Sequence, residues 1–428
     1  MRILHLSWEY PPVLYGGLGR HVHALASAQA AEGHDVLVIT QAPTGSEGAT
    51  PYEDQGAVRV LRASTDPGDQ DGGDLLGQMA CMEWAFVDAG ESLLADWSPE
   101  VIHAHDWMVS HAAVSLRSTT GAPLVATIHA TEAGRNGGTV TSDLSTRIHE
   151  LEWWLANTAD VVIACSRAMR SEVRTLFGRD TARVIPNGIA LAEWQRPNGE
   201  VERMRRTHAP SGPLIAYTGR VEYEKGVQVL LDAMPRVRAE RPDARLVVAG
   251  RGSYLPALQA QATDLGIDGS TDFLGWVSEQ DLRALVAAAD VAVAPSLYEP
   301  FGLVALEAAA LGTPVIVSQT GGLAELADDS GIAATARPGD AADLADAIIG
   351  DLAAPRASRA RAERATRVLG QRYGWARIAR GTVQAYRGAA EALSVPASDP
   401  RHAQAVARHS LGPPSLVAPL GRLLDLEP

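Results

Sequence analysis

The stretch Leu214-Ile215-Ala216-Tyr217-Thr218-Gly219-Arg220-Val221-Glu222-Tyr223-Glu224-Lys225-Gly226 sets the reading of the chain. Its opening run is apolar on successive residues, which suits a strand buried on both faces of a parallel sheet; a half-solvated strand would alternate. A glycine turn follows, carrying two cations five residues apart. Ligands of open α/β sheets bind beyond the carboxyl ends of the strands. An arginine and a lysine around such a turn suit a diphosphate. With Glu222 and Glu224 beside them, the same residues also suit a solvated, salt-bridged loop.

The pattern repeats in both directions. Apolar runs occur at 3–6, 36–40, 58–61, 101–104, 124–128, 161–164 and 184–185, then at 214–217, 246–249, 273–274, 291–294 and 315–317. Helical stretches separate them; residues 18–31, for example, place Leu18, Val22, Leu25 and Gln29 on one side. Strand and helix alternating at this spacing predict βαβ units and an α/β fold of doubly wound parallel sheets. The 428 residues exceed one ordinary core, so two domains are expected. The segment QRPNGEVERMRRTHAPSG at 195–212 is polar and broken by proline and glycine, as a linker is. The expected domains are 1–200 and 213–370. Residues 375–393 have helical periodicity with no strand after them. The Pro-, Ala- and Ser-rich segment 394–428 is expected to be a poorly ordered tail.

Composition removes several function classes. The net charge of −14 gives no general attraction to nucleic acid or anionic membranes. No long apolar window suggests a transmembrane helix or a signal peptide. Two cysteines, Cys81 and Cys165, show no zinc-type or C-x-x-C spacing and fit a reducing, cytoplasmic setting.

Further candidate groups fall just after the apolar runs. Tyr15-Gly16-Gly17-Leu18-Gly19 leads into the first helix. Its glycines allow close backbone approach to a phosphate or sugar, or simply make a turn. Neither Gly17-x-Gly19 nor Gly250-x-Gly252 completes the dinucleotide fingerprint G-x-G-x-x-G. In His103-Ala104-His105-Asp106-Trp107, alternate histidines share a strand face. No third metal ligand lies at a convincing spacing, so a polar cluster at the strand end, with Asp106 facing the cleft, is preferred to a metal site. His129 stands in the same relation to the next strand, though an isolated histidine there is more often structural. Glu299 and Glu307 bracket Pro300-Phe301-Gly302-Leu303-Val304. Pro300 suits a first helical turn, after which the amides of Gly302, Leu303 and Val304 would be open donors to a phosphate. Glu307, two turns on, would reach a ribose. Asp69-Gln70-Asp71 is a D-x-D, but its Gly- and Asp-rich surroundings without a preceding strand read as a solvated loop.

Taken together, the Gly16-Gly17 loop, the Arg220…Lys225-Gly226 loop and the Glu299–Glu307 E-x7-E segment resemble glycosyltransferase family 4, retaining enzymes of the GT-B fold. The resemblance covers roughly residues 1–390. The stretches Trp8-Glu9-Tyr10-Pro11-Pro12, His103–Trp107 and Thr127-Ile128-His129-Ala130-Thr131-Glu132 resemble the glycogen-synthase-like branch. Within it, the actinobacterial α-1,4-glucosyltransferases of glycogen and methylglucose lipopolysaccharide synthesis are the most similar. The resemblance implies two Rossmann-like domains facing a central cleft, with a helix at 371–393 crossing back to the first. It implies transfer of glucose from UDP- or ADP-glucose to an oligosaccharide or glucan, with no cofactor and no metal. Arg220 and Lys225 would neutralise the donor diphosphate, Glu299 would hold the donor sugar and Glu307 the ribose. The His129 carbonyl would lie near the anomeric carbon and Asp106 near the reacting sugars. Leu14 stands where ADP-glucose-dependent bacterial synthases carry lysine, which keeps both nucleotides open. Transfer of mannose or GlcNAc to another acceptor, nucleotide-sugar epimerisation and a silent binding module are the rival readings. The incomplete glycine fingerprints disfavour a dehydrogenase.

Overall fold

A computed structural model describes residues 1–43, 53–55, 57–65, 75–94, 96–197, 199–393 and 412. The expected tail and the Asp69–Asp71 pair lie outside these residues, apart from Gly412. The chain forms two compact units. The first holds residues 1–165, 169–185 and 378–428; the second holds 166–168 and 186–377. The chain thus changes unit after Ile185, ahead of the polar 195–212 segment, and residues 200–208 of that segment form a helix.

The first unit is built on eight strands: β1 (Arg2–Ser7), β2 (Asp35–Gln41), β3 (Glu53–Gln55), β4 (Val58–Ala63), β5 (Val101–His105), β6 (Leu124–Ile128), β7 (Val161–Ala164) and β8 (Arg183–Val184). Their order is β3-β4-β2-β1-β5-β6-β7-β8. All neighbours are parallel except β3, which is antiparallel to β4. The consecutive apolar runs are buried from end to end in β5 and β6, as a sheet covered on both faces requires. Ile3, Val22, Val36, Val101 and Val125 share one core cluster with Val383, Tyr386 and Ala389. The last three lie on the helix Trp375–Leu393, whose residues from Ile378 onward belong to this unit.

The second unit has six strands: β9 (Leu214–Thr218), β10 (Arg245–Ala249), β11 (Thr271–Gly275), β12 (Val291–Ala294), β13 (Val315–Ser318) and β14 (Ala333–Ala336). All are parallel, in the order β11-β10-β9-β12-β13-β14. Relabelled from one to six this is 3-2-1-4-5-6, the Rossmann order, whose direction reverses between β9 and β12. Ile215, Leu230, Leu246, Val291 and Ile316 centre its core. The first sheet reverses in the same way between β1 and β5. Each sheet therefore offers one switch-point crevice, and the candidate motifs follow the strands that flank it, except His129, which follows the next strand, β6.

Candidate functional site

In the second unit the two motifs flanking the switch point interlock. Gly226 has φ 70°, and a β-carbon there would meet the Pro295 carbonyl oxygen at 2.0 Å, so the loops after β9 and β12 pass in contact. The amides of Leu297 and Tyr298 donate to the Glu224 carbonyl at 2.8 and 3.2 Å. Lys225 Nζ donates to Glu299 Oε2 at 3.0 Å, joining the cationic turn to the E-x7-E segment. Arg220 pairs with Glu224 at 2.9 Å, and Glu222 holds the amide and hydroxyl of Ser253. Without a ligand, both cations are thus matched by carboxylates that a diphosphate would have to displace or share. Glycines bring the backbone close where β9 meets β10: a β-carbon on Gly250 would lie 1.7 Å from the Gly219 carbonyl oxygen.

The helix after β12 starts later than its proline suggested. It spans Leu303–Ala310, with Gly302 as its N-cap at φ 106°, so the Gly302 amide stands just ahead of the first turn. A side chain at 302 would run into Leu323 at 2.4 Å, which leaves glycine as the residue that fits this left-handed cap. The first-turn amides belong to Leu303 and Val304. Glu307 lies on the same helix and is only 5% exposed.

In the first unit the Gly16-Gly17 turn, Asp106 and His129 come from the ends of β1, β5 and β6. Around the turn, Tyr15 and Gly16 donate to Glu9 Oε2 at 2.8 and 2.9 Å, and the Gly19 amide also bonds Glu9. Burial raises the Glu9 carboxyl above its usual range despite these bonds. Glu9, from the loop after β1, thus fixes the turn from within the chain. The helix Gly17–Ala31 follows, and no side chain can be added at Gly19 without meeting Leu14 and Glu9.

Asp106 has φ 62° and ψ 176°, a conformation costly for any residue with a side chain. Its carboxylate accepts from the His129 amide at 2.7 Å and from the Ala130 amide, tying the end of β5 to the loop after β6. Burial raises its pKa to about 6, opposed by Arg135 and these amides. The buried Cys165 thiol approaches the His129 carbonyl oxygen at 3.9 Å.

Behind these loops lies a buried histidine network that sequence spacing did not reveal. Gln29 Nε2 donates to the Tyr386 hydroxyl at 3.0 Å, and that hydroxyl lies 2.7 Å from His103 Nδ1, whose Nε2 is 2.7 Å from the Thr127 hydroxyl. Gln29 Oε1 is 2.7 Å from His5 Nε2, His5 Nδ1 is 3.0 Å from His105 Nε2, and His105 Nδ1 is 3.2 Å from His129 Nε2. Since Gln29 Oε1 can only accept, His5 carries its proton on Nε2; His105 and His129 then do the same in turn. Burial lowers the pKa of His5 to about 4 and of His129 to about 3, and holds His103 and His105 well below the ordinary value. All four rings are neutral at pH 7.

A cavity of about 570 Å³ in the second unit lies elsewhere. It is lined by Asp290, Pro314, Arg205 and Arg359, at the amino ends of β12 and β13, opposite the ends that carry the motifs. Among the described residues no helix is long and apolar enough to cross a membrane.

Comparison with known proteins agrees with this geometry. Residues 15–193 match the model of Glycosyltransferase Family 4, and residues 200–368 match that of Glycosyl transferases group 1. The glycogen synthase of Mycobacterium tuberculosis is 43% identical over 401 residues, 91% of this chain and 95% of its own. A D-inositol 3-phosphate glycosyltransferase of Xylanimonas cellulosilytica is 30% identical over 87% of this chain and 91% of its own. Among solved structures, the sucrose-phosphate synthase of Thermosynechococcus elongatus superposes with a TM-score of 0.78 at 25% identity, covering 90% of this chain and 98% of that one. The catalytic domain of starch synthase IV from Arabidopsis thaliana, bound to ADP and acarbose, does so at 0.72 and 17% identity, covering 91% and 99%.

Proposed function

Because the chain belongs to glycosyltransferase family 4, in its GT-B, glycogen-synthase-like branch, we propose that it transfers glucose from UDP- or ADP-glucose to an α-glucan or related oligosaccharide, with retention and formation of α-1,4 links. The observation that carries this reading is the Lys225–Glu299 pair, which unites the cationic turn and the E-x7-E segment at the switch point of the second sheet. Arg220 and Lys225 meet the charge that builds on the β-phosphate as the glycosidic bond breaks, and the first-turn amides of Leu303 and Val304 add helix-terminal positive potential. Entry of the diphosphate draws Lys225 from Glu299, which then turns to the donor sugar's hydroxyls. Glu307 holds the ribose.

On the acceptor side, Asp106, held by the amides of His129 and Ala130, stands near the reacting sugars, and the His129 carbonyl faces the anomeric carbon. The leaving phosphate takes the acceptor hydroxyl's proton on the face it departs from, so an α-linked donor gives an α-linked product and no carboxylate nucleophile is needed. Arg220, Lys225 and the helix terminus supply the charge that a metal supplies in other transferases; catalysis then needs no divalent ion. The proposed location is cytoplasmic, in keeping with two free thiols, Cys81 and Cys165.

The test is incubation with UDP- and ADP-glucose, each with and without a maltooligosaccharide, in the presence and absence of EDTA. Elongation that persists in EDTA is expected. Conversion of free donor with no acceptor would favour an epimerase instead.

A further inference from the structure

Order β1-β5-β6 brings together imidazoles far apart in sequence: His5, His103, His105 and His129, with His21 from the helix Gly17–Ala31. Two trios place one nitrogen from each ring within 4.8 Å of the others: His5, His103 and His105, and His21, His105 and His129. The trios differ in what a metal would displace. His5 and His103 use both ring nitrogens within the fully buried network of Gln29, Tyr386, Thr127 and His105. The second trio stands at its edge, where His129 is partly exposed and offers an entrance.

We propose that His21, His105 and His129 form a binding site for a borderline divalent cation, Zn²⁺ foremost, that restrains the His129 segment. Zn²⁺ takes imidazole nitrogens at about 2.0–2.1 Å, and tetrahedral geometry then sets neighbouring nitrogens roughly 3.4 Å apart. His105 Nδ1 and His129 Nε2 already stand 3.2 Å apart. The His21 ring meets His129 edge-on with centroids 4.7 Å apart, and a small rotation closes the third side. The network also prepares the ligands. Because His105 donates Nε2–H to His5, its Nδ1 lone pair faces His129; the second partner that orients a metal-bound histidine is in place. His129 moves its proton from Nε2 to Nδ1 when the ion arrives, so no net proton is released. The fourth position is left to water.

The expected consequence, which rests on the proposed transferase reading, is inhibition: a ligated His129 cannot adjust with the backbone carbonyl that faces the anomeric carbon. Binding itself is tested independently of activity. Co²⁺ titrated into the chelator-treated full chain should give, at one equivalent, the intense visible bands of four-coordinate cobalt, and Zn²⁺ should abolish them. His21→Ala and His21→Gln should each weaken binding at least about tenfold. His5→Gln, which keeps an acceptor for His105, should retain the bands. Histidine ¹H–¹⁵N spectra of the unmutated chain with Zn²⁺ should shift the signals of His21, His105 and His129, which decides the matter even if a variant fails to fold. Zn²⁺ should slow transfer by the unmutated chain and slow each His21 variant less, relative to its own metal-free rate. Weak six-coordinate cobalt bands, or bands kept in the His21 variants and lost in His5→Gln, would overturn the proposal.

Discussion

Arg220 and Lys225 carry like charge in different settings. The Arg220 side chain is 41% exposed beside Glu224, whereas Lys225 and Glu299 are 16% and 14% exposed. Groups that meet charge developing on the leaving phosphate act more in the transition state than in the ground state. Arg220→Ala and Lys225→Ala should each lower kcat by about 10²–10³ with a smaller rise in donor KM, and Glu307→Ala should do the reverse; steady-state kinetics of the three variants checks this. Lys225→Ala should also lower Tm more than Arg220→Ala: the carboxylates they strand, Glu299 and Glu224, are similarly buried at 14% and 12%, but Lys225 is itself packed where Arg220 is exposed. Asp106 yields a pH prediction. Its folded pKa of about 6 exceeds the ordinary aspartate value of 3.8, so between these values the folded state binds more protons than the unfolded one. Its contribution to stability therefore falls as pH rises through that window and stays low above it. Asp106→Asn should be more stable than the parent chain at pH 7, by up to about 3 kcal/mol, with the gap closing toward pH 4. Thermal unfolding of both proteins across that range gives the answer; a gap that grows toward acid would contradict the burial account.

At the scale of elements, the left-handed glycines separate contact from mere turning. Gly226→Ala drives a β-carbon into the Pro295 carbonyl, so it should part the two motif loops and raise donor KM at least tenfold. Gly33→Ala, also at positive φ but with nothing within 4 Å, should cost only about 1–2 kcal/mol of backbone strain and leave donor KM unchanged. Isothermal titration of the nucleotide into each variant checks the pair. Tyr386→Phe removes the hydroxyl that links Gln29 to His103, and should lower stability by about 1–3 kcal/mol, read from the chain's thermal transition. These elements were unequally legible in the sequence. Each expected apolar run holds a strand, because parallel strands buried on both faces leave an uninterrupted hydrophobic signal. The strands that escaped lack it: Ala333–Ala336 reads AATA, and Glu53–Gln55 is a three-residue polar edge. The helix start moved from Pro300 to Leu303 because the conformation of Gly302, which sequence does not state, ends the loop. Glu9 capping the Gly16 turn, and histidines gathered from three strands, depend on folding geometry rather than on spacing along the chain.

At the scale of the molecule, two sheets that each reverse strand order place their functional loops at carboxyl ends, and this arrangement was readable from apolar runs followed by glycine- and charge-bearing turns. Donor nucleotide, acceptor and linkage are not properties of that arrangement; they depend on a few contacts within it. The net charge of −14 sharpens the contrast, since Arg220 and Lys225 provide local cationic groups on an otherwise acidic chain. Same-face transfer driven by leaving-group stabilisation is decided by the configuration of the first product. The most direct measurement is NMR of the first product formed from an α-linked UDP- or ADP-glucose donor and a maltooligosaccharide, taken before the anomers or products re-equilibrate. A single new α-1,4-linked glucose at the non-reducing end is expected. A β-configured first product would contradict it.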